Sequence, residues 1–154
     1  MNKMQQLSLA IKIATEAHYG QFDKGGKPYI LHPLHLMNQL MYDIQLATIA
    51  VLHDVVEDSD ITLDDLDSMG FSPRILNALN LLTHKHNQTY ISYILKICGN
   101  YDAIRVKRKD LQHNLDVTRL KNKDGLSHKD LQRITKYNKA FIKLTQAKRN
   151  FERK

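Results

Sequence analysis

From Leu46 to Leu52 every residue but Thr48 is apolar, and the run ends on His53-Asp54-Val55-Val56-Glu57-Asp58. A helix apolar on all sides must be enclosed, so residues 46–57 predict one buried helix. Two ionisable groups at the end of such a run are costly unless something partners them. A neutral imidazole next to a carboxylate is a metal-ligand pair, and an ion supplies the missing partner. On a continuous helix Glu57 stands four residues after His53 and Asp58 four after Asp54, one turn on and on the same face. That spacing predicts an ion with two acids beside it to handle a water.

The rest of the chain reads as helical. Leu7, Leu9, Ile11, Ile13, Ala14 and Ala17 predict a first helix over about 3–19, stopped by Gly20. Residues 21–31, with Gly25, Gly26 and Pro28, predict a loop, and one of that length is a candidate for binding. Pro33 suits the first turn of a helix that runs to about Tyr42. Thr62 and Asp65 make a box-like start for a short helix ended by Gly70. Ser72-Pro73 starts another, with Ile75, Leu76, Leu79 and Leu82 on its inner face. Further helices are expected over about 89–98, over about 103–120 and, capped by Ser127, to about Lys148. Residues 122–125 break the chain and 150–154 fray. No stretch alternates as a strand does. The expected architecture is all-α, one domain over residues 1–154 with seven to nine helices.

At 154 residues the chain can bury a core of its own. No apolar run approaches the length of a membrane span, and no secretory leader is visible. The single cysteine, Cys98, reads as a small core residue, which fits a reducing cytoplasm. The net charge of +7 is uneven. Residues 1–104 hold 7 Lys+Arg against 11 Asp+Glu, or −4, and residues 105–154 hold 16 against 5, or +11. A basic C-terminal third suits an anionic ligand or nucleic acid, but a solvated helix with Lys and Arg on its outer face accounts for it more simply. A non-catalytic module that binds nucleic acid or a protein partner through that third is the reading from another class. The ligand set argues against it, so a nucleic-acid partner is not expected.

Candidate metal ligands are His32, His53, Asp54 and Asp110. Two imidazoles and two carboxylates suit Mn²⁺ or Fe²⁺, with Zn²⁺ also compatible. Glu57 and Asp58 are the candidate catalytic acids. Asp110 and Asn114 lie four apart on one helix face, a carboxylate for the ion and an amide for the substrate. His18, His35, His84, His86, His113 and His128 have no such context and read as surface or supporting groups.

Four stretches carry a family resemblance: residues 17–21 (Ala-His-Tyr-Gly-Gln), 24–34 (Lys24 through Leu34, including Tyr29 and His32), 50–59 (Ala50 through Ser59) and 106–114 (Val106 through Asn114). In this order they resemble the metal-dependent HD superfamily, and within it the hydrolase domain of the RelA/SpoT alarmone enzymes, small stand-alone type. The likeness spans about residues 7–145. It implies an HD-type helical bundle with His32, His53, Asp54 and Asp110 on the metal, usually Mn²⁺. It implies Glu57 and Asp58 at the water, and Lys24, Tyr29 and Asn114 at the nucleotide. The implied reaction is hydrolysis of guanosine tetra- or pentaphosphate at its 3′-pyrophosphate, giving GDP or GTP and pyrophosphate.

Alarmone hydrolases carry Arg-Lys where this chain has Asp23-Lys24. Asp23 supplies neither the charge nor the planar stacking surface of an arginine. A hydrolase acting on another nucleotide, such as NADPH, is therefore the alternative for the same site. No synthetase half follows the last helix, so the expectation is a protein that only removes the compound, opposing a separate enzyme that makes it.

Overall fold

The computed structural model describes residues 1–116 and 125–154. Among these residues the helical segments are α1 (Lys3–Ala17), α2 (Leu31–Gln39), α3 (Ile44–Leu52), α4 (Val55–Asp58), α5 (Leu63–Ser68), α6 (Pro73–Leu82), α7 (Tyr90–Ile97), α8 (Tyr101–Asn114) and α9 (His128–Glu152). Side-chain caps set most of the starts. Asn2 and Gln5 exchange hydrogen bonds at α1, Thr62 and Asp65 at α5, and Ser127 and Asp130 at α9. Asp43, Thr89 and Asn100 each accept an N–H at the starts of α3, α7 and α8. Each such cap contributes about 1 kcal/mol by satisfying a donor that the helix leaves unpaired.

The bundle is organised by α3. All residues from Leu46 to Leu52 are buried, and α1, α2, α6 and α8 pack around the helix. Burying one Leu or Ile side chain contributes roughly 1.5–3 kcal/mol, so α3 is the most firmly held element of the bundle. Arg74 on α6 ties its surroundings together. Its guanidinium reaches Asp102 on α8 at 2.8 and 2.9 Å and Asp43, the α3 cap, at 2.6 Å. Among the described residues the β-pairing amounts to one isolated bridge, Phe22 to Pro28, inside the loop before α2. That loop turns at Gly26, whose φ of +84° lies in the left-handed region that glycine enters without strain. No helix among the described residues is long and apolar enough to cross a membrane.

Several boundaries differ from the sequence reading. The first helix ends at Ala17 and α2 at Gln39, while α9 runs on to Glu152. Glu152 accepts from Lys148 Nζ at 2.8 Å and from the Tyr101 hydroxyl at 2.9 Å, which fixes the last turn. Cys98 is half-buried at the end of α7. The penultimate helix, expected over about 103–120, is α8 and ends at Asn114; residues 117–120 and the break at 122–124 lie outside the described residues.

The largest correction concerns residues 46–57, which do not form one helix. Regular α3 stops at Leu52, and the four-residue α4 begins at Val55. The cause is His53. Its backbone N–H reaches Ala50 O at 3.4 Å and its ring Nδ1 reaches the same oxygen at 2.7 Å. A side chain that competes for backbone carbonyls in this way loosens the helical ladder. Helical bonding resumes with Asp58 N–H to Asp54 O at 3.0 Å.

Candidate metal centre and adjoining cavity

Three elements bring buried polar groups to one point. His32 on the first turn of α2, His53 at the end of α3 and Asp110 on α8 are all buried, none more than 4% exposed. Each offers one donor atom, and the three atoms lie within 4.8 Å of one another. His32 Nε2 is 2.8 Å from Asp110 Oδ1. His53 Nε2 is 3.5 Å from the same oxygen and 2.9 Å from Asp54 Oδ2. Donors bonded at about 2.1 Å and at right angles stand about 3.0 Å apart, so the spacing suits one shared divalent ion. Asp54 borders the three-residue cluster through His53.

The fold fixes the tautomer of His53. A carbonyl only accepts, so the contact with Ala50 O places the hydrogen on Nδ1 and the lone pair on Nε2. That Nε2 is buried and faces two carboxylates. An acceptor turned toward acceptors calls for a cation between them, a proton or a metal. The electrostatics agree. Burial opposes a charge on His53, but Asp54 and Asp110 outweigh it and hold the imidazole well above the ordinary histidine range. Burial likewise opposes ionisation of Asp54 and Asp110. His53 nevertheless lowers Asp54, and Lys107 foremost, then His32 and His53, hold Asp110 well below the usual carboxylate range.

Each candidate ligand is held from behind. Lys107 Nζ donates to Asp110 Oδ2 at 2.8 Å, and Asn114 Nδ2 donates to Oδ1 at 3.0 Å. The Tyr29 hydroxyl donates to Asp54 Oδ2. Burial, then the charge of Asp54, pushes the Tyr29 phenol far up, so it stays a donor. His32 Nδ1 lies 2.6 Å from His113 Nδ1, the two rings parallel to within 2°. Buttressing of this kind orients a ligand and typically changes metal affinity 10–100-fold when removed.

Glu57 and Asp58 stand on α4 as exposed residues whose carboxyls are partly screened from water. Glu57 Oε1 accepts from the His84 backbone N–H at 2.5 Å, and the Asp58 carbonyl accepts from Gln21 Nε2 at 3.0 Å. Partial burial of the carboxyl raises Glu57; the His84 N–H pulls it back, and the charge of Asp54 adds to the rise. Burial and then Asp54 raise Asp58 as well.

Beside the cluster lies a cavity of about 310 Å³, lined by Lys24, Tyr29 and Asn114 together with Phe22, Asp23, Gly25, Asp116, Arg133 and Tyr137. The three residues expected at a nucleotide thus share one cavity. Sequence reasoning missed Arg133 and Tyr137, which face it from α9 some twenty residues beyond the last motif. It read His18, His84 and His113 only as surface or supporting groups and gave Lys107 no definite role. The i, i+3 spacing of Lys107 and Asp110 was the available signal. For His113, only the folded arrangement brings it to His32.

No family model matches the chain. Curated relatives do. The bifunctional (p)ppGpp synthase/hydrolase SpoT of Escherichia coli is 32% identical over 129 residues, covering 74% of this chain and 18% of that protein. A probable GTP pyrophosphokinase of Mycobacterium leprae is 42% identical over 122 residues, 71% of this chain and 15% of that protein. A guanosine-3′,5′-bis(diphosphate) 3′-pyrophosphohydrolase of Haemophilus influenzae is 32% identical over 116 residues, 67% of this chain and 17% of that protein. The chain therefore spans less than a fifth of the length of these relatives. Among solved structures, a metazoan SpoT ortholog that hydrolyses ppGpp aligns with a TM-score of 0.73 at 20% identity, covering 94% of both chains. With sequence likeness over three quarters of its length and a shared fold over nearly all of it, the chain is a RelA/SpoT hydrolase-domain-like protein of the HD superfamily.

Proposed function

We propose that this protein hydrolyses guanosine tetra- or pentaphosphate at the 3′-pyrophosphate, releasing GDP or GTP and pyrophosphate, in the cytoplasm and with Mn²⁺ as its ion. The observation that carries the reading is His53 Nε2, buried and turned toward the carboxylates of Asp54 and Asp110 with His32 beside it, next to a cavity lined by Lys24, Tyr29 and Asn114. The relatives named for this activity support it.

His32, His53, Asp54 and Asp110 are the residues to hold the ion. When bound, it supplies Lewis acidity toward a phosphoryl oxygen and eases deprotonation of water. The other contributions come from the chain itself. Glu57 and Asp58, with carboxyls raised above their ordinary range, are suited to accept a proton from the attacking water. Lys24 and Arg133 bring positive charge to the cavity, and Phe22 and Tyr137 bring aromatic surface for a base. Asn114 spends its amide on Asp110, so it couples the substrate side of the cavity to the ligand.

Asp23 favours a second reading. It lines the cavity as an anion, and Asp116 is a second one, so the formal charges of Lys24 and Arg133 are balanced. A less highly charged nucleotide, such as NADPH, then fits the same chemistry.

The deciding experiment incubates the purified Mn²⁺ protein with ppGpp, GTP and NADPH in parallel and resolves the products by ion exchange. GDP and pyrophosphate in equal amounts from ppGpp uphold the first reading. Orthophosphate from another nucleotide, with ppGpp intact, transfers the assignment to the second. No turnover of any of the three by ion-loaded protein overturns both.

A further inference from the structure

We propose that His18 and Gln21 form a positioning relay that fixes Asp58 and, through Tyr29, Asp54 relative to the binding loop. The relay rests on the function proposed above, because it serves the acids assigned there. His18 follows α1 directly and is 1% exposed. Its Nδ1 lies 2.9 Å from Gln21 Oε1. The Gln21 amide nitrogen donates to Ala17 O at 3.2 Å and to Asp58 O at 3.0 Å. With the amide nitrogen committed to two carbonyls, Oε1 is left to accept, and His18 Nδ1 must carry the hydrogen. The orientation of the Gln21 amide is therefore set by His18, and that amide reaches 37 residues along the chain to the backbone of a candidate catalytic acid.

A second arm leaves the same two residues. The Tyr29 N–H donates to Gln21 O at 2.9 Å. The Tyr29 ring lies 5.0 Å from the His18 ring, tilted by 57°. Tyr29 in turn donates its hydroxyl to Asp54. One buried imidazole thus backs both Asp54 and Asp58. Its remaining nitrogen, Nε2, is buried without a hydrogen-bond partner. An apolar ring of similar size would fill the space without leaving that acceptor unsatisfied, so packing alone does not account for a histidine here. Orientation of Gln21 does.

The test uses the whole 154-residue chain, metal-free in EDTA for spectra and Mn²⁺-loaded for kinetics, and four variants: His18→Phe, His18→Asn, Gln21→Leu and the double His18→Phe/Gln21→Leu. Nitrogen-15 spectra of the histidine rings, with the His18 signals identified by their loss in His18→Phe, report the tautomer. The wild type should show the Nδ1–H form, and Gln21→Leu should lose that preference. Kinetics on whichever nucleotide the wild type turns over report the consequence. Gln21→Leu and His18→Phe should each lower kcat about tenfold with KM held within about twofold, and the double variant should be no slower than the slower single. His18→Asn keeps a side-chain N–H near Gln21 Oε1 and should stay within about threefold of the wild-type kcat. An Nε2–H tautomer in the wild type, additive losses in the double variant, or a raised KM at unchanged kcat overturns the relay. If His18→Phe does not fold, His18→Asn compared with Gln21→Leu decides by the same measures. If the wild type turns over no nucleotide, the proposed function falls while the tautomer alone still upholds or overturns the relay.

Discussion

Asp110→Asn removes one negative charge and almost no volume from the centre of the site. The carboxylate is 6% exposed, takes hydrogens from His32 and Asn114, and pairs with Lys107, whose side chain is 14% exposed. Removing one partner of a buried pair costs about 3–5 kcal/mol, mostly because the other charge is stranded. Solvent reaches Lys107 slightly, so the lower end, about 3 kcal/mol, is the expected loss. For a domain of this length each kcal/mol moves the midpoint by about 2–4 °C, so the metal-free variant should melt about 6–12 °C below the wild type. Adding Lys107→Met removes the stranded ammonium and should recover most of the loss. Circular-dichroism melts in EDTA of wild type, single and double variants measure both effects. Repeating the melts with Mn²⁺ at about a hundredfold excess over its Kd should stabilise the wild type by about 2.7 kcal/mol and Asp110→Asn by far less. A metal-free single variant within about 2 °C of wild type would refute the pairing argument, and so would a double variant that melts below the single.

Glu57→Gln should retain the Mn²⁺-induced rise in melting temperature yet lose about 10²–10⁴ in kcat. In the wild type the raised Glu57 carboxyl should set the acid limb of kcat/KM above the ordinary glutamate value of about 4.3, which a pH profile reads directly. Tyr29→Phe deletes the hydroxyl that holds Asp54, and isothermal titration should show Mn²⁺ affinity falling about 10–100-fold with the fold intact. For Asp102, burial opposes ionisation but Arg74 and Arg105 outweigh it, so its folded pKa is depressed. Its stabilising effect is present above the unfolded value of about 3.9 and disappears as pH falls through the lower folded one. The stability gap between wild type and Asp102→Asn should therefore be widest near neutrality and close in acid, as urea titrations at stepped pH will show.

Much of this was readable in the sequence because the relevant signals are local. Caps at Thr62 and Ser127, Pro73 in a first turn and the enclosing of an all-apolar segment each depend on a few neighbouring residues. The candidate ligands were readable for a related reason: an imidazole and a carboxylate at the end of Leu46–Leu52 have no stable place without a partner. What escaped is non-local. Arg133 and Tyr137 reach the cavity only because α9 packs on α7 and α8, and nothing in their own windows marks them. The sequence also left open whether His18 is a surface or a supporting group; its burial follows from the docking of α1 against α3 and α4.

The misread helix break is the most instructive of these differences, because the site depends on it. On a straight helix through Glu57, adjacent residues point about 100° apart, and the His53 ring would have no reason to fold back on its own ladder. With the break, the ring anchors Nδ1 on Ala50 O and thereby commits Nε2 to the carboxylates. The same break leaves Asp54 where Tyr29 can hold it, and the resumed turn carries Glu57 to the His84 N–H. The loss of regular helix is tolerated because it falls at the end of the best-packed element, where seven consecutive buried residues already fix the backbone on its N-terminal side. A candidate centre that gathers His32, His53 and Asp110 from three elements is best served by such a rigid support, and α3 provides it while its end turns the chain toward Glu57 and Asp58.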